Sequence, residues 1–115
     1  MTKVYLTQSG SFTASHSHDG ALNEPLHAHT FTYEVTFYGP LNAEGFLLDF
    51  RTVQKELSQI VAPLQNQNLI TLFTHPTTEE IAQWLFAQTA QKLPFLRSVK
   101  LAEAPDRWIT YTGEN

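Results

Sequence analysis

Three histidines in the first third of the chain have the residue type and spacing of a metal site. His27 and His29 are separated by one residue, so they project from the same side of a strand. In an antiparallel hairpin, residue 27 would lie opposite His16. Three neutral imidazoles hold Zn²⁺ at about 2.0–2.1 Å and leave a fourth position open, as in catalytic zinc sites. The spacing is therefore compatible with a zinc site that can exchange a ligand.

The same histidines also have a simpler interpretation. His27-Ala28-His29 would then be a polar strand end and His16-Ser17-His18 a loop. Spacing alone does not choose between the two interpretations. We predict that His18 faces solvent.

The composition excludes several classes of function. The 115 residues are 42% hydrophobic, which suits a single domain over residues 1–115. The absence of cysteine excludes a disulfide, a thiolate metal site and a cysteine nucleophile. The net charge of −4 and the dispersed lysines and arginines argue against nucleic acid or an anionic membrane and favour a small-molecule partner. Since the chain shows neither a signal-peptide pattern nor a membrane-length apolar run, we expect a cytoplasmic protein.

Two strands with alternating apolar residues would position the histidines. The first has its apolar residues at even positions from Val4 to Ala14, and we expect a bulge near Gly10. The second has them at odd positions from Phe31 to Phe37 and ends at the turn signal of residues 39–40. The histidines continue the apolar side of both strands, so they would lie at the end of a core.

Two helices are predicted after this hairpin. The first begins at the cap residue Asp49 and ends near Pro63. The residues predicted for its buried face are Phe50, Val53, Leu57, Ile60 and Leu64. The second begins after Pro76, where Thr77 and Glu80 have the spacing of a capping box.

Two short strands complete the predicted fold. They contain Val99 and Leu101, then Ile109 and Tyr111, with a turn at residues 104–106. The element order is β-β-α-α-β-β. We therefore predict an α+β fold, a four-stranded antiparallel sheet with two helices on one face.

Five short segments resemble motifs of one protein family and occur in the family's order. They are Phe12-Thr13-Ala14-Ser15-His16, Leu26-His27-Ala28-His29, Gly45-Phe46-Leu47-Leu48-Asp49-Phe50, Pro76-Thr77-Thr78-Glu79 and Val99-Lys100-Leu101-Ala102-Glu103. With the element order, they resemble the 6-pyruvoyltetrahydropterin synthase family. The resemblance implies that family's T-fold.

The resemblance also implies zinc chemistry on a pterin. The family contains zinc-dependent lyases that act on dihydroneopterin triphosphate, including 6-carboxytetrahydropterin synthase of queuosine biosynthesis. By position, the histidines at 16, 27 and 29 would bind Zn²⁺. Glu103 would accept two parallel N–H bonds from the guanidine-like edge of the pterin. Thr77 and Thr78 would add ring contacts, although a capping role explains Thr77 equally well.

Members of this family assemble as trimers and hexamers. Their sheets join into a barrel across subunits, which covers the edges that an isolated four-stranded sheet would leave open. We therefore expect a homo-oligomer, either a trimer or a hexamer.

The chain departs from the family at its proton-transfer residues. The family has a cysteine shortly before the histidine pair and an Asp-His dipeptide after the first helix. This chain has Asn23, Gln65 and Asn66 at those positions. Amides have no proton-transfer pKa near neutrality, so they cannot act as general bases. The usual reaction cannot run unchanged, although zinc could still polarise a substrate oxygen.

Glu24 could replace part of the missing machinery. It lies three residues before His27, as in a variant branch of the family where a glutamate takes over from the cysteine. That branch includes cleavage of the side chain to 6-hydroxymethyldihydropterin, a folate precursor, and Glu24 could start such a retro-aldol scission as a base. Glu24-Pro25 could also be a solvated loop. His75 is another candidate proton carrier, for which a loop role is favoured.

Three hypotheses for function follow from these residues. The first is a zinc-dependent pterin lyase with altered catalytic residues. The second is a catalytically silent paralogue that binds zinc and a pterin. The third is a different reaction on the same scaffold, in which zinc-activated water attacks a heterocycle. Fold alone does not choose among them.

Overall fold

The computed structural model of the chain describes residues 2–18 and 24–114, and the side chains of residues 17, 18 and 24–26 lie outside that description. The strands and α-helices are β1 (Lys3–His18), β2 (Glu24–Pro40), α1 (Phe50–Val61), α2 (Thr78–Lys92), β3 (Leu96–Ala104) and β4 (Arg107–Tyr111). The sheet is antiparallel throughout, in the order β1-β2-β3-β4. The predicted α+β architecture and element order are confirmed.

The β1–β2 hairpin separates an apolar face from a hydroxyl-rich face. Every second residue of β2 from Phe31 to Phe37 is buried, as are Leu6 and Phe12 of β1. The opposite face has threonine pairs across the strands, for example Thr7 and Thr36, whose hydroxyls lie 2.8 Å apart. Because the side-chain period of a strand is two, this alternation fixes the register of the hairpin.

The bulge predicted near Gly10 is wrong. Gly10 pairs in register with Tyr33, and the irregularity lies between His16 and His18 instead. A Cβ atom at residue 10 would overlap the Tyr33 phenol, so the glycine leaves room for that ring. Burial raises the pKa of Tyr33 above its ordinary value. Gly10 therefore reflects a close side-chain approach and not a break in pairing.

Helix α1 begins where the sequence predicts, and Val53, Leu57 and Leu64 of the predicted face are buried. The Asp49 carboxylate accepts the Arg51 N–H at 2.8 Å, and its hydrogen bonds with Arg51 hold the pKa of this carboxyl below its ordinary value. The buried residues of α1 are Val53, Leu57 and Val61. Phe50, predicted for the buried face, is 61% exposed because it lies in the first turn, outside this i, i+4, i+8 stripe.

Helix α2 begins at the predicted cap. The Thr77 hydroxyl accepts the Glu80 N–H at 3.1 Å, as the first half of a capping box does. Ile81 and Leu85 are buried against the sheet side of the molecule. No helix among the described residues is long and apolar enough to cross a membrane.

The connection between the helices covers part of the outer edge of β1. The Asn66 N–H donates to the Thr13 carbonyl at 2.6 Å, and the Ser15 N–H donates to the Gln67 carbonyl at 2.9 Å. The Gln65 side-chain oxygen accepts the Thr13 N–H at 3.0 Å. These bonds occupy an otherwise open strand edge just before His16. They fix the part of β1 that carries this histidine.

Candidate metal centre

The structure brings the three predicted histidines together at one end of the hairpin. His16 lies directly opposite His27 in the register, and His29 follows two residues later on the same face. Ring centroids are 4.9 Å apart for His16 and His27, and 4.4 Å apart for His27 and His29. One nitrogen from each ring lies within 4.8 Å of the other two. The rings can therefore converge on one ion with small side-chain movements.

The hydrogen bond of His16 determines which nitrogen faces the cluster. His16 is buried, and its Nδ1 lies 2.8 Å from the Pro76 carbonyl oxygen. A carbonyl can only accept, so Nδ1 carries the proton and Nε2 keeps its lone pair. A backbone partner on the second nitrogen is the usual arrangement for a metal-bound histidine.

The Nε2 atom of His16 is a buried acceptor that the described residues leave without a hydrogen bond. A buried polar atom in that state costs about 1–3 kcal/mol. A cation bound by the three imidazoles would remove this cost. The residues therefore fit a metal ion, and nitrogen ligands of this number suit Zn²⁺.

Among the described side chains, the carboxylate of Glu103 lies against the histidines. Its Oε2 lies 3.3 Å from His16 Nε2 and 3.7 Å from His29 Nε2. The first distance is within ion-pair range, yet His16 Nε2 makes no hydrogen bond among the described residues. In a neutral His16 whose proton lies on Nδ1, the carboxylate and Nε2 are two acceptors that face each other.

An open groove of about 540 Å³ lies beside the end of β3. Its lining residues are Thr30, Thr32, Ala102, Glu103, Ala104, Pro105 and Trp108. The volume is within the usual range of small-molecule sites, about 300–1,000 Å³. Glu103 lines the groove, and its carboxylate also lies against His16 and His29. The groove therefore adjoins the histidines.

The other residues predicted for the site are Thr77, Thr78, His75 and Glu24. Thr77 uses its hydroxyl to cap α2, and Thr78 is buried in the first turn of that helix. Both follow Pro76, whose carbonyl binds His16. His75 is exposed. Glu24 pairs through its backbone with the strand position of residue 18, at the histidine end of the hairpin, but its side chain lies outside the description.

Two predictions fall on parts of the chain that the structure does not describe. Asn23 lies outside the described residues altogether. The side chain of His18, predicted to face solvent, also lies outside the description. Gln65 and Asn66 are described, and both bind the edge of β1.

Sequence reasoning missed the Pro76 carbonyl as a partner of His16. The two residues are 60 positions apart, and the partner atom belongs to the backbone, so no residue type marks it. The one available signal was the proline itself, which places the start of α2 at a defined point.

The fold and the cluster together define the class of protein. It is an α+β protein in which a four-stranded antiparallel sheet positions three histidines that could hold a metal ion. The sequence model of the 6-pyruvoyl tetrahydropterin synthase family matches residues 5–114. The chain belongs to this family of pterin-metabolising proteins, and the predicted resemblance is confirmed.

Two relatives share about a third of their residues with the chain. A dihydroneopterin monophosphate aldolase of Pyrococcus furiosus is 34% identical over 92 residues, which is 80% of each chain. A protein of Archaeoglobus fulgidus, a candidate 6-carboxy-5,6,7,8-tetrahydropterin synthase, is 32% identical over 101 residues, covering 87% of this chain and 88% of the relative. The chain thus resembles proteins named for two different pterin reactions.

Solved structures confirm the T-fold. The 6-pyruvoyl tetrahydropterin synthase of Caenorhabditis elegans superposes with a TM-score of 0.87 over 99% of this chain and 98% of that one, at 21% identity. The enzyme of Plasmodium vivax gives a TM-score of 0.84 over 96% and 98% of the two chains, at 16% identity.

Proposed function

We propose that the protein is a zinc-dependent lyase that cleaves the side chain of a phosphorylated dihydroneopterin by a retro-aldol reaction. The observation that carries the proposal is the buried His16 Nε2, which faces His27 and His29 while Nδ1 is held by a backbone carbonyl. The similarity to a dihydroneopterin monophosphate aldolase supports cleavage over the synthase reaction. The missing cysteine and Asp-His pair also argue against the synthase reaction.

The proposed metal is held by the histidines at 16, 27 and 29. When bound, Zn²⁺ would supply a Lewis acid that polarises the hydroxyl oxygens of the substrate side chain. The hydrogen bond to the Pro76 carbonyl fixes the orientation of the His16 ring, so this ligand would be preorganised for the metal. The substrate oxygens would be oriented at this end of the hairpin.

Glu24 is proposed as the general base. Removal of the proton from the second side-chain hydroxyl forms an aldehyde as the bond between the first and second side-chain carbons breaks. The electron pair passes into the dihydropterin ring system, and protonation of the first carbon leaves a hydroxymethyl group. The backbone position of Glu24, at the start of the strand that carries His27, supports this role. In the Plasmodium vivax enzyme, which shares this fold, a glutamate is a catalytic residue.

Glu103 is proposed to bind the heterocycle. Its carboxylate can accept two N–H bonds from the guanidine-like edge of a pterin, and it borders the groove. Thr77 and Thr78, at the start of α2, are proposed to contact the ring. The Thr77 hydroxyl already accepts the Glu80 N–H, so its contact with the ring would have to leave this capping bond in place. The protein would act as a cytoplasmic homo-oligomer, a trimer or a hexamer.

Product analysis of the Glu24→Gln variant tests the proposed cleavage. Zinc-loaded protein incubated with dihydroneopterin monophosphate or triphosphate should release 6-hydroxymethyldihydropterin and a phosphorylated aldehyde. Loss of a general base should slow turnover by about 10²- to 10⁴-fold. The exposed Glu44 offers a matched control, and Glu44→Gln should retain wild-type turnover. Equal rates for Glu24→Gln and the wild type would contradict the role of Glu24.

A catalytically silent pterin-binding protein is the second candidate. It is favoured by Gln65 and Asn66, which replace the Asp-His pair and bind the β1 edge instead. This hypothesis predicts that a pterin raises the unfolding temperature in the wild type and in Glu24→Gln, but less in Glu103→Ala. Turnover of either dihydroneopterin phosphate would exclude it.

A further inference from the structure

The position of the Glu103 carboxylate relative to the histidines matches that of a metal ligand. In a tetrahedral site with bonds of about 2.0–2.1 Å, neighbouring ligand atoms are about 3.3–3.4 Å apart. Glu103 Oε2 is 3.3 Å from His16 Nε2 and 3.7 Å from His29 Nε2. The carboxylate oxygen therefore lies at the distance of a neighbouring tetrahedral ligand from His16 Nε2, and slightly beyond that distance from His29 Nε2.

A cation would stabilise this contact. In a neutral His16 that donates from Nδ1 to the Pro76 carbonyl, the Nε2 lone pair faces a carboxylate oxygen. Two acceptors at this distance repel each other, and a positive charge between them turns the repulsion into attraction.

Glu103 also has access to the groove. Its side chain is 27% exposed and borders the groove beside Trp108. The flexible glutamate side chain can carry the carboxylate from the histidines toward the groove without moving β3. One carboxylate can thus occupy two positions, one at the metal centre and one at the ligand.

We propose that Glu103 is an exchangeable fourth metal ligand. In the absence of substrate it closes the coordination sphere formed by the three histidines. A heterocycle entering the groove draws the carboxylate to its N–H edge and opens the fourth position for the substrate side chain. Binding of the ring is thereby coupled to opening of the metal site. This inference rests on the proposed metal centre and does not require any particular turnover.

Cobalt substitution tests this ligand directly, because the visible spectrum of bound Co²⁺ reports its coordination. The full-length chain, loaded with Co²⁺ and free of pterin, is compared with Glu103→Gln and Glu34→Gln. Glu34 pairs with Lys100 on the same sheet and serves as the matched control. We expect an altered spectrum and affinity for Co²⁺ weaker by roughly 10-fold or more in Glu103→Gln. Glu34→Gln should match the wild type in both measurements.

A second variant separates ligation from a general effect of charge. Glu103→Asp keeps the negative charge but shortens the side chain, so we expect an altered Co²⁺ spectrum. A wild-type spectrum in both Glu103 variants would overturn the ligand role. Neopterin added to the wild type should change the spectrum as the carboxylate leaves. If neopterin raised the unfolding temperature without changing the spectrum, the exchange would be overturned.

These results also separate the ligand role from the proposed function. Failure of the wild type to bind any Co²⁺ would overturn the metal centre and this inference together. One bound Co²⁺ with identical spectra in the wild type and Glu103→Gln would overturn only the role of Glu103. The expected spectra combined with no cleavage of dihydroneopterin phosphates would overturn the lyase proposal and support the ligand role.

Discussion

At the scale of single residues, the site depends on the different partners of the two nitrogens of His16. Nδ1 donates to the Pro76 carbonyl, so its proton is fixed, while Nε2 is buried and available as an acceptor. The hydrogen bond thereby selects the tautomer that a metal requires. In the metal-free protein, the same bond leaves an unsatisfied acceptor in a buried position. If the proposed metal binds here, it should therefore also stabilise the fold at this residue.

Zinc should stabilise the folded protein measurably. At free zinc 100 times the dissociation constant, a site present only in the folded state adds about 2.7 kcal/mol to the free energy of unfolding. For a domain of this size, the unfolding temperature should rise by roughly 10 °C, as followed by circular dichroism.

Two histidine variants provide the controls for this shift. His27→Ala should abolish the dependence on zinc, because it removes one of the three ligands. His75→Ala should keep it, because His75 is exposed. A shift of equal size in His27→Ala would contradict the proposed ligand set.

At the scale of elements, β1 is anchored by residues 65–67, which lie between the helices and are not part of a strand. Residues 65–67 bind the backbone of Thr13 and Ser15 on the outer edge of β1. Asn66 has a φ of 59°, a left-handed conformation that asparagine tolerates better than branched residues do. Gln65 and Asn66 thus help to anchor the strand that carries His16.

Substitutions of Asn66 should test this anchoring. Asn66→Val forces a branched side chain into the left-handed region and should lower the free energy of unfolding by about 1–2 kcal/mol. Asn66→Gly accepts the same conformation without this strain and serves as the control. Urea denaturation measures both, and zinc affinity should also fall in Asn66→Val. Equal stability of the two variants would show that the conformation of residue 66 is not required.

The elements were largely predictable because their signals are local. The alternation from Phe31 to Phe37 and the caps Asp49 and Thr77 act over a few residues, and the structure confirms them. Gly10 and Phe50 were misjudged because tertiary packing decides their environment. A nearby tyrosine ring explains the glycine, and the phenylalanine is exposed because it lies in the first turn of α1, outside the buried stripe of Val53, Leu57 and Val61.

The site was predictable in part for the same reason. The parity of His16, His27 and His29 follows from strand geometry, and the structure brings these rings together. The approach of Glu103 to the histidines and the bond to Pro76 join distant parts of the chain. Contacts of this kind depend on how the sheet and helices pack, so residue spacing does not reveal them.

At the scale of the whole molecule, the sheet is open at two edges. β1 forms one edge, and within residues 2–18 and 24–114 the segment of residues 65–68 covers it next to His16, while β4 forms the other edge. Open edges favour pairing with another chain. We therefore expect that light scattering on the purified protein will give the mass of a trimer or a hexamer. A monomer at micromolar concentration would contradict the proposed assembly.

We propose above that the three histidines hold a metal on which pterin cleavage depends. Mass spectrometry of the products formed from dihydroneopterin monophosphate tests this dependence most directly, with zinc-loaded wild type, chelator-treated wild type and His27→Ala in parallel. We expect 6-hydroxymethyldihydropterin from the zinc-loaded wild type, and its loss after chelation and in His27→Ala. Undiminished formation of this product by His27→Ala would contradict the proposed metal-dependent cleavage.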